Sequence, residues 1–391
     1  MPRSRSHSIF RTHFPLPARS QNNSKAVVIA AISGRALATA ARRAGYRALV
    51  ADMFCDADTM ELADRAIRLP GNLHSGIDGT RMIDTLTELT EGEEPLAIVC
   101  GSGFERLPGT LDRIARNFPL AGNSGDAVRR VKDPETFAAD CAALGIPHPE
   151  LRREPPADPE NWLVKTAGAA GGTHIHRATG DATKAGRYFQ RFIPGKSISA
   201  LFVGDGSSAR IVGFSRQFLS PTASAPYRYG GAVRLRRFDR KDAAMIGSWL
   251  NALTARAGLV GLCSADFIRN ENGYHLLEIN PRPGATLDIF DTDEAPLMEA
   301  HLRASRGESH RLPGFSDCMA SMIAYAEKPI PSFPQMAWPE WVADRQSAGS
   351  RLDAGDPVCT IFANGPSAHV AQHALNRRVR ELQRQWAGDP S

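Results

Sequence analysis

Six consecutive apolar residues run from Ala26 to Ala31, Ser33-Gly34 breaks the run, and an alanine-rich stretch at 35–44 ends at Gly45. This pattern predicts a buried parallel strand, a turn and a helix. A second apolar run at 47–50 ends near Asp52 and completes a βαβ unit. A further strand at 96–100 leads into Gly101-Ser102-Gly103-Phe104-Glu105. Breaks of this kind place loops at the carboxyl ends of a parallel sheet, where open α/β sheets bind ligands.

From residue 121 the pattern changes. A helix is expected at 134–144, prolines cluster over 147–159, and strands are expected at 162–165, 173–177, 188–193 and 197–203. The first two of these strands flank Gly168-Ala169-Ala170-Gly171-Gly172. Ile246, Trp249, Leu250 and Leu253 share one face of a helix expected at 240–257. Beyond 327 come short strand signals at 341–343 and 357–363, then a terminal helix at 367–385. The fold class expected is α/β (α+β). Its expected divisions are a disordered tail 1–24, a parallel-sheet domain 25–120, a second domain 121–326 and a β-rich segment with a helix at 327–391.

Composition narrows the function classes. A chain of 391 residues accommodates two or three domains at roughly 150 residues each. The apolar runs are far shorter than the ~20 residues of a membrane span. Six scattered cysteines without a C-x-x-C pair argue for reduced, mostly buried thiols in a cytoplasmic protein. The net charge of +5 arises at one end, because no acidic residue precedes Asp52 while residues 1–51 carry nine Lys and Arg. The body is therefore slightly acidic and is not a basic nucleic-acid reader. The first turn, Ala31-Ile32-Ser33-Gly34-Arg35-Ala36, lacks the three-glycine fingerprint of a dinucleotide site, which argues against a nicotinamide cofactor. With only seven lysines against forty arginines, a lysine at a suggestive place carries extra weight.

The richest stretch is 261–288, GLCSADFIRNENGYHLLEINPRPGATLD. It reads as strands 262–270 and 274–280 joined by Glu271-Asn272-Gly273, a three-residue loop whose last residue favours the left-handed region. That register pairs Asn270 with Tyr274 and sets Asp266 opposite Glu278, with Asn280 on the same face. Cross-strand Cβ atoms lie about 5 Å apart. Both carboxylates are embedded in apolar strand sequence, where unpaired charge is costly. A hard divalent cation taking Asp266, Glu278 and Asn280 as oxygen ligands resolves the repulsion better than a solvated acidic hairpin does. Arg282 and Gly284 follow, a planar phosphate donor and a place for close backbone approach. Lys165 ends a strand just before the glycine-rich loop, so that a cation and free N–H groups sit together. This is either a phosphate cradle or a flexible hairpin beside an exposed lysine. It is no Walker A motif.

Lys132, Lys165 with its glycine-rich loop, Gln190-Arg191-Phe192-Ile193, and Asp266 followed by Glu278-Ile279-Asn280-Pro281-Arg282 resemble the ATP-grasp superfamily, in that family's order. The resemblance covers 121–325, and the βαβ region looks like the family's Rossmann-like N-terminal domain, which precedes a two-lobed ATP-grasp domain. More narrowly, Ser33-Gly34-Arg35, 42–46, 52–58, Gly103-Phe104-Glu105, 341–344 and 355–359 resemble predicted carboligases related to biotin carboxylase from methanogens and methylotrophs. That branch implies a role near tetrahydromethanopterin or methanofuran synthesis.

The resemblance implies the following roles. Lys132 and Lys165 contact phosphates, with Lys165 also reaching the adenine. Gly171, Gly172 and Thr173 cover the phosphates, while Gln190, Arg191 and Ile193 hold the adenine edge, the last two by backbone groups. Asp266, Glu278 and Asn280 bind Mg²⁺, for which Mn²⁺ can substitute, and Arg282 stabilises the transferred phosphoryl group. Pro194-Gly195-Lys196-Ser197 departs from the family by offering no carboxylate to the ribose.

The expected reaction is ATP-dependent carboxylate–amine ligation through an acyl phosphate, with release of ADP and phosphate. Glutamate ligation in one-carbon cofactor synthesis is one form of it. The alternatives are a bicarbonate-dependent carboxylase acting through carboxyphosphate, and a nucleotide-binding regulatory protein without turnover. Partners are small-molecule carboxylate and amine substrates and a second copy in a homodimer, with no nucleic acid and no membrane. His174 and His176 are expected to share one strand face as surface residues, and Cys263 to be core rather than nucleophile. Tyr227-Arg228-Tyr229-Gly230-Gly231 is equally a substrate loop or a turn.

Overall fold

The apolar run that opens the ordered sequence forms the central strand of a parallel sheet. The computed structural model describes residues 25–73, 75–179 and 186–387; the expected tail 1–24 lies outside the described residues. Strand β1 (Ala26–Ala31) is followed by helix α1 (Arg35–Arg43), β2 (Arg47–Asp52), α2 (Ala57–Leu62), β3 (Arg65–Arg68), α3 (Met82–Leu89), β4 (Ala97–Cys100), α4 (Pro108–Asn117) and β5 (Leu120–Ala121). The strand order is β3-β2-β1-β4-β5 and all pairings are parallel. Every residue of β1 is buried, which explains a continuous apolar run rather than an alternating one. Gly45, at φ 82°, ends α1 as its position after the alanine run predicts. The order reverses between β1 and β4, so a crevice opens at their carboxyl ends. Ile32 N–H donates to the Ser102 carbonyl across it at 2.9 Å.

Helices α5 (Gly125–Lys132) and α6 (Pro134–Ala143) lead to a four-stranded antiparallel sheet of β6 (Leu151–Arg152), β7 (Trp162–Thr166), β8 (His176–Arg177) and β9 (Arg187–Arg191), ordered β8-β7-β9-β6. Ser124 and Asp133 cap the two helices by accepting from Ala127 N–H and Thr136 N–H. Next come β10 (Lys196–Asp205), β11 (Ala209–Leu219), β12 (Tyr229–Arg234), α7 (Arg240–Ala257), β13 (Val260–Asn270), β14 (Gly273–Asn280), α8 (Leu287–Phe290), α9 (Leu297–Ala304), β15 (Cys318–Tyr325), β16 (Val342–Ala343), β17 (Pro357–Gly365) and α10 (Ala368–Ala387). Their strands form one eight-stranded antiparallel sheet, β14-β13-β10-β11-β12-β15-β17-β16. The sheet therefore continues from the 260–280 hairpin into the C-terminal strands. Ile246, Leu250 and Leu253 of α7 pack with Phe202, Phe214 and Phe267 in a core beneath it. All six cysteines are unpaired, and all but half-buried Cys55 are buried. Among the described residues no helix is long and apolar enough to cross a membrane.

Two structural anchors hold the parallel sheet against the antiparallel one. Arg35, 5% exposed, donates through Nη1 and Nη2 to the Asp288 carboxylate at 2.5 and 2.8 Å, and through Nε and Nη2 to Asp344 at 2.9 and 3.1 Å. It thereby joins the start of α1 to α8 and to the residue after β16. His301, 1% exposed, accepts from Leu262 N–H through Nδ1 at 2.9 Å, and its Nε2 faces the Ala121 carbonyl at 3.2 Å. Burial holds this imidazole down to about 4, so it is a neutral structural residue. Arg35→Leu leaves two half-buried carboxylates without their cation, and is expected to lower stability by about 2–4 kcal/mol, read as a fall in thermal midpoint.

Candidate active site

The site grows from the β13–β14 hairpin. Asp266 lies directly opposite Glu278, as expected, but the register that puts it there is not the expected one. Asn270 pairs with Gly273 and Arg269 with Tyr274, one residue short of the predicted pairing at the turn. The offset is recovered by a bulge at Leu277, between the pairs Phe267–Leu276 and Asp266–Glu278. Gly273 has φ 105°, so the glycine sits in the conformation its loop position asks for. Without the bulge Glu278 would point to the opposite face.

Asn280 donates Nδ2 to Asp266 Oδ2 at 3.0 Å, and Gln217 of β11 donates Nε2 to Asp266 Oδ1 at 2.8 Å. Lys132, at the end of α5, places Nζ 3.2 Å from Glu278 Oε2 and 2.8 Å from Asn280 Oδ1. Burial and the neighbouring Glu278 raise the Asp266 carboxyl above its usual range. Glu278 moves the other way: against the cost of burial, the ammonium groups of Lys132 and Lys165 hold it low. Among the described residues no group of three or more His, Cys, Asp or Glu is assembled for a metal. The donor set is instead two carboxylates and one amide oxygen, hard oxygen ligands, with burial and the charge of Glu278 together raising Asp266. That chemistry fits Mg²⁺ with phosphate oxygens completing its shell.

Lys165, the penultimate residue of β7, is 4% exposed and donates to Gln190 Oε1 at 3.1 Å. Gln190, 2% exposed, reaches the carbonyl of the bulge residue Leu277 through Nε2 at 3.4 Å. The small sheet is thus tied to the hairpin at the bulge itself. Arg191 turns its side chain away, to Asp158 at 2.8 Å, and its N–H is used by the Glu150 carbonyl. Any contact with a base edge then falls to its own carbonyl. Half-buried Ile193 follows β9 in the loop to β10.

The glycine-rich loop rests on the segment 227–229. Gly168, Gly171 and Gly172 have φ of 71°, 74° and 74°. Gly171 accepts from Tyr229 N–H at 2.9 Å, and a Cβ at Gly172 would collide with the Tyr227 carbonyl oxygen. The segment 227–231 is therefore both the start of β12 and the surface on which the loop rests. Exposed Thr173 is in the loop. The expected strand 173–177 shortens to β8, because the turn Gly172–Ile175, closed by a 3.2 Å hydrogen bond, takes up its first half. His174 consequently leaves the strand. It is half-buried, its Nδ1 has no partner, and burial holds it down to about 4 despite the pull of Glu278, with Lys165 and Lys132 repelling the proton. The expectation that His174 and His176 share a strand face is overturned.

Arg282 is held by Glu105 of the parallel-sheet region, with Nε 2.6 Å from Oε1. The structure therefore collects Lys132, Lys165, Gln190, Asp266, Glu278 and Asn280 into one cluster, with Arg282 and the loop at its borders. Sequence reading assigned no role to Gln217 or Glu105. Gln217 lies two strands from Asp266, with no local signal. Glu105 belongs to the Gly103-Phe104-Glu105 motif, but its partner is 177 residues away. Cys263, fully buried beside Asn123 and pushed up to about 12 by burial, is core as expected.

Comparison with known proteins agrees with this geometry. Residues 136–286 match the family model of an ATP-grasp domain. Similar solved structures include the biotin carboxylase domain of 2-oxoglutarate carboxylase from Hydrogenobacter thermophilus, in complex with MgADP and bicarbonate, at 14% identity and TM-score 0.69 over 89% of this chain and 88% of that one. L-amino acid ligase from Bacillus licheniformis matches at 13% and 0.64, over 92% and 97%. N5-carboxyaminoimidazole ribonucleotide synthetase, as its ADP complex, matches at 14% and 0.64, over 95% and 99%. The chain thus has an ATP-grasp fold, shared with ATP-dependent ligases and with biotin carboxylases.

Gly172→Ala combines a forbidding φ with a collision against backbone, so the loop cannot keep its seat. The variant should fold normally and bind Mg·ATP more weakly by roughly tenfold, a loss of about 1.4 kcal/mol measurable by calorimetric titration.

Proposed function

We propose that the protein is an ATP-dependent carboxylate–amine ligase that releases ADP and phosphate. The observation that carries this reading is the cross-strand pair Asp266–Glu278 with Asn280, with the cations Lys132, Lys165 and Arg282 around it. Three carboxylates, counting Glu105, and three cations gathered in one region suit a polyphosphate with its metal better than they suit a neutral ligand.

In this reading Lys132 and Lys165 neutralise the phosphates, and Lys132 leaves Asn280 Oδ1 for them. Gln190, Arg191 and Ile193 line the adenine edge, and Gly171, Gly172 and Thr173 cover the phosphates and exclude water. Asp266, Glu278 and Asn280 would hold Mg²⁺, or Mn²⁺ in its place, which supplies charge neutralisation across the phosphate oxygens. Arg282 stabilises the phosphoryl group as a substrate carboxylate attacks the γ-phosphorus. The resulting acyl phosphate needs protection from hydrolysis, a role that falls to the glycine-rich loop. An amine then displaces phosphate to leave an amide. The resemblance to the methanogen and methylotroph branch supports a role near one-carbon cofactor synthesis, with glutamate as a candidate partner in the ligation. We also assign the enzyme to the cytoplasm as a homodimer, the latter by analogy with the Hydrogenobacter domain dimer.

A bicarbonate-driven carboxylation is the second reading, favoured by the fold shared with biotin carboxylases. Mg·ATP-dependent phosphate release in bicarbonate-depleted buffer, with paired carboxylates and amines, separates the two. Release that needs both an acid and an amine is the expected result, whereas release restored by bicarbonate alone would replace the ligase with a carboxylase. Glu278→Ala is expected to abolish release with little loss of fold, and an unchanged rate would remove the metal assignment.

A further inference from the structure

The reversal point between β1 and β4 is where doubly wound sheets take their ligands, yet here it presents a protein side chain to the neighbouring sheet. The loop after β4 turns at Gly103, whose φ of 107° a side chain would rarely adopt. Glu105 follows, 4% exposed, with both oxygens committed: Oε2 accepts from Gly103 N–H at 2.8 Å, and Oε1 accepts from Arg282 Nε at 2.6 Å. The carboxylate is therefore fixed by its own loop before it meets the arginine. Against the cost of burial, Arg282 and Lys132 keep it ionised.

Arg282 is gripped only at Nε. Its Nη1 and Nη2 make no hydrogen bond among the described residues, and Nη1 lies where a Cβ at Gly284 would intrude. Its guanidinium also feels the charges of Glu278 and Asp266. The backbone of Glu105 has a second contact, because a Cβ at Gly168 would meet the Glu105 carbonyl oxygen at 2.6 Å. The root of the glycine-rich loop thus rests on the residue that holds the arginine.

We propose that Glu105 is the positioning residue for Arg282: it fixes the guanidinium through Nε, and Gly284 leaves room for Nη1, so that the terminal nitrogens face the phosphoryl group in flight. This rests on the phosphoryl-transfer reading above. A buried ion pair that merely pins one sheet to the other would contribute to stability alone, whereas a positioning residue acts selectively on the transition state.

The test uses the full chain, Mg·ADP, and Mg·ADP with aluminium fluoride as mimic of the transferring phosphoryl group. Dissociation constants are measured by calorimetry for the wild type, Glu105→Gln, Glu105→Ala and Gly284→Ala, beside their thermal midpoints. Fluoroaluminate should tighten ADP binding to the wild type by about 10²-fold or more. All three variants should bind Mg·ADP within about twofold of wild type but lose roughly tenfold of that tightening. The loss should be smaller for Gln than for Ala, since the amide oxygen still accepts from Nε. Lowered midpoints with the tightening intact would overturn the proposal. A wild type that binds Mg·ADP without any tightening would overturn the phosphoryl-transfer reading instead, and the proposal with it. Should Glu105→Ala fail to fold, Glu105→Gln and Gly284→Ala carry the same decision, because neither empties the buried position.

Discussion

Setting two carboxylates opposite each other on adjacent strands is unfavourable by itself, and the arrangement around Asp266 and Glu278 follows from answering it. Lys132 reaches Glu278 and Asn280 from the end of α5, while Gln217 and Asn280 each donate to Asp266. The compensation is unequal. Lys132 and Lys165 lower Glu278, whereas Asp266 stays raised by burial and by its neighbour. A fold that maximised only stability would have little use for such a residue pair. Its retained repulsion is the physical reason to read the site as a receiver of cations and of the phosphates that travel with them.

The contributions come from separate elements whose positions depend on one another. The large antiparallel sheet supplies the acidic face and Arg282, the small sheet supplies Lys165 and Gln190, and the parallel sheet supplies Glu105. Three contacts hold these parts in relation: Gln190 to the Leu277 carbonyl, Gly171 to Tyr229, and Arg35 to Asp288 and Asp344. The first makes the hairpin bulge part of the candidate site, since the carbonyl it exposes is the one that receives Gln190. The second closes the loop on β12. Arg35 and His301 then fix the parallel sheet closely enough for one carboxylate to reach across to an arginine.

Much of the local structure was legible. The buried run at 26–31, the helix at 240–257 and the strands around Gly273 appear where pattern and turn chemistry put them. The hairpin is instructive because the expected pairing of Asp266 with Glu278 holds although the expected register at the turn does not. A bulge one residue long corrected an error one residue long, and a bulge has no reliable signature in an apolar strand such as Leu276-Leu277. His174 failed for a related reason. Alternation over 173–177 looked like a strand, but the hydrogen bond from Ile175 N–H to Gly172 closes a turn in which that alternation has no meaning.

By itself the sequence determined what neighbours within about a dozen residues can settle through periodicity, capping and backbone preference: the βαβ start, the hairpin, the glycine-rich loop after Lys165, and the carboxylates sharing a strand face. Only the tertiary structure decided which groups answer those carboxylates and that arginine. Gln217 meets Asp266 across β10, Lys132 meets Glu278 over 146 residues, and Glu105 meets Arg282 over 177. Such pairings depend on how whole sheets pack, and packing is set by the summed burial of many apolar side chains rather than by any segment that contains the polar pair.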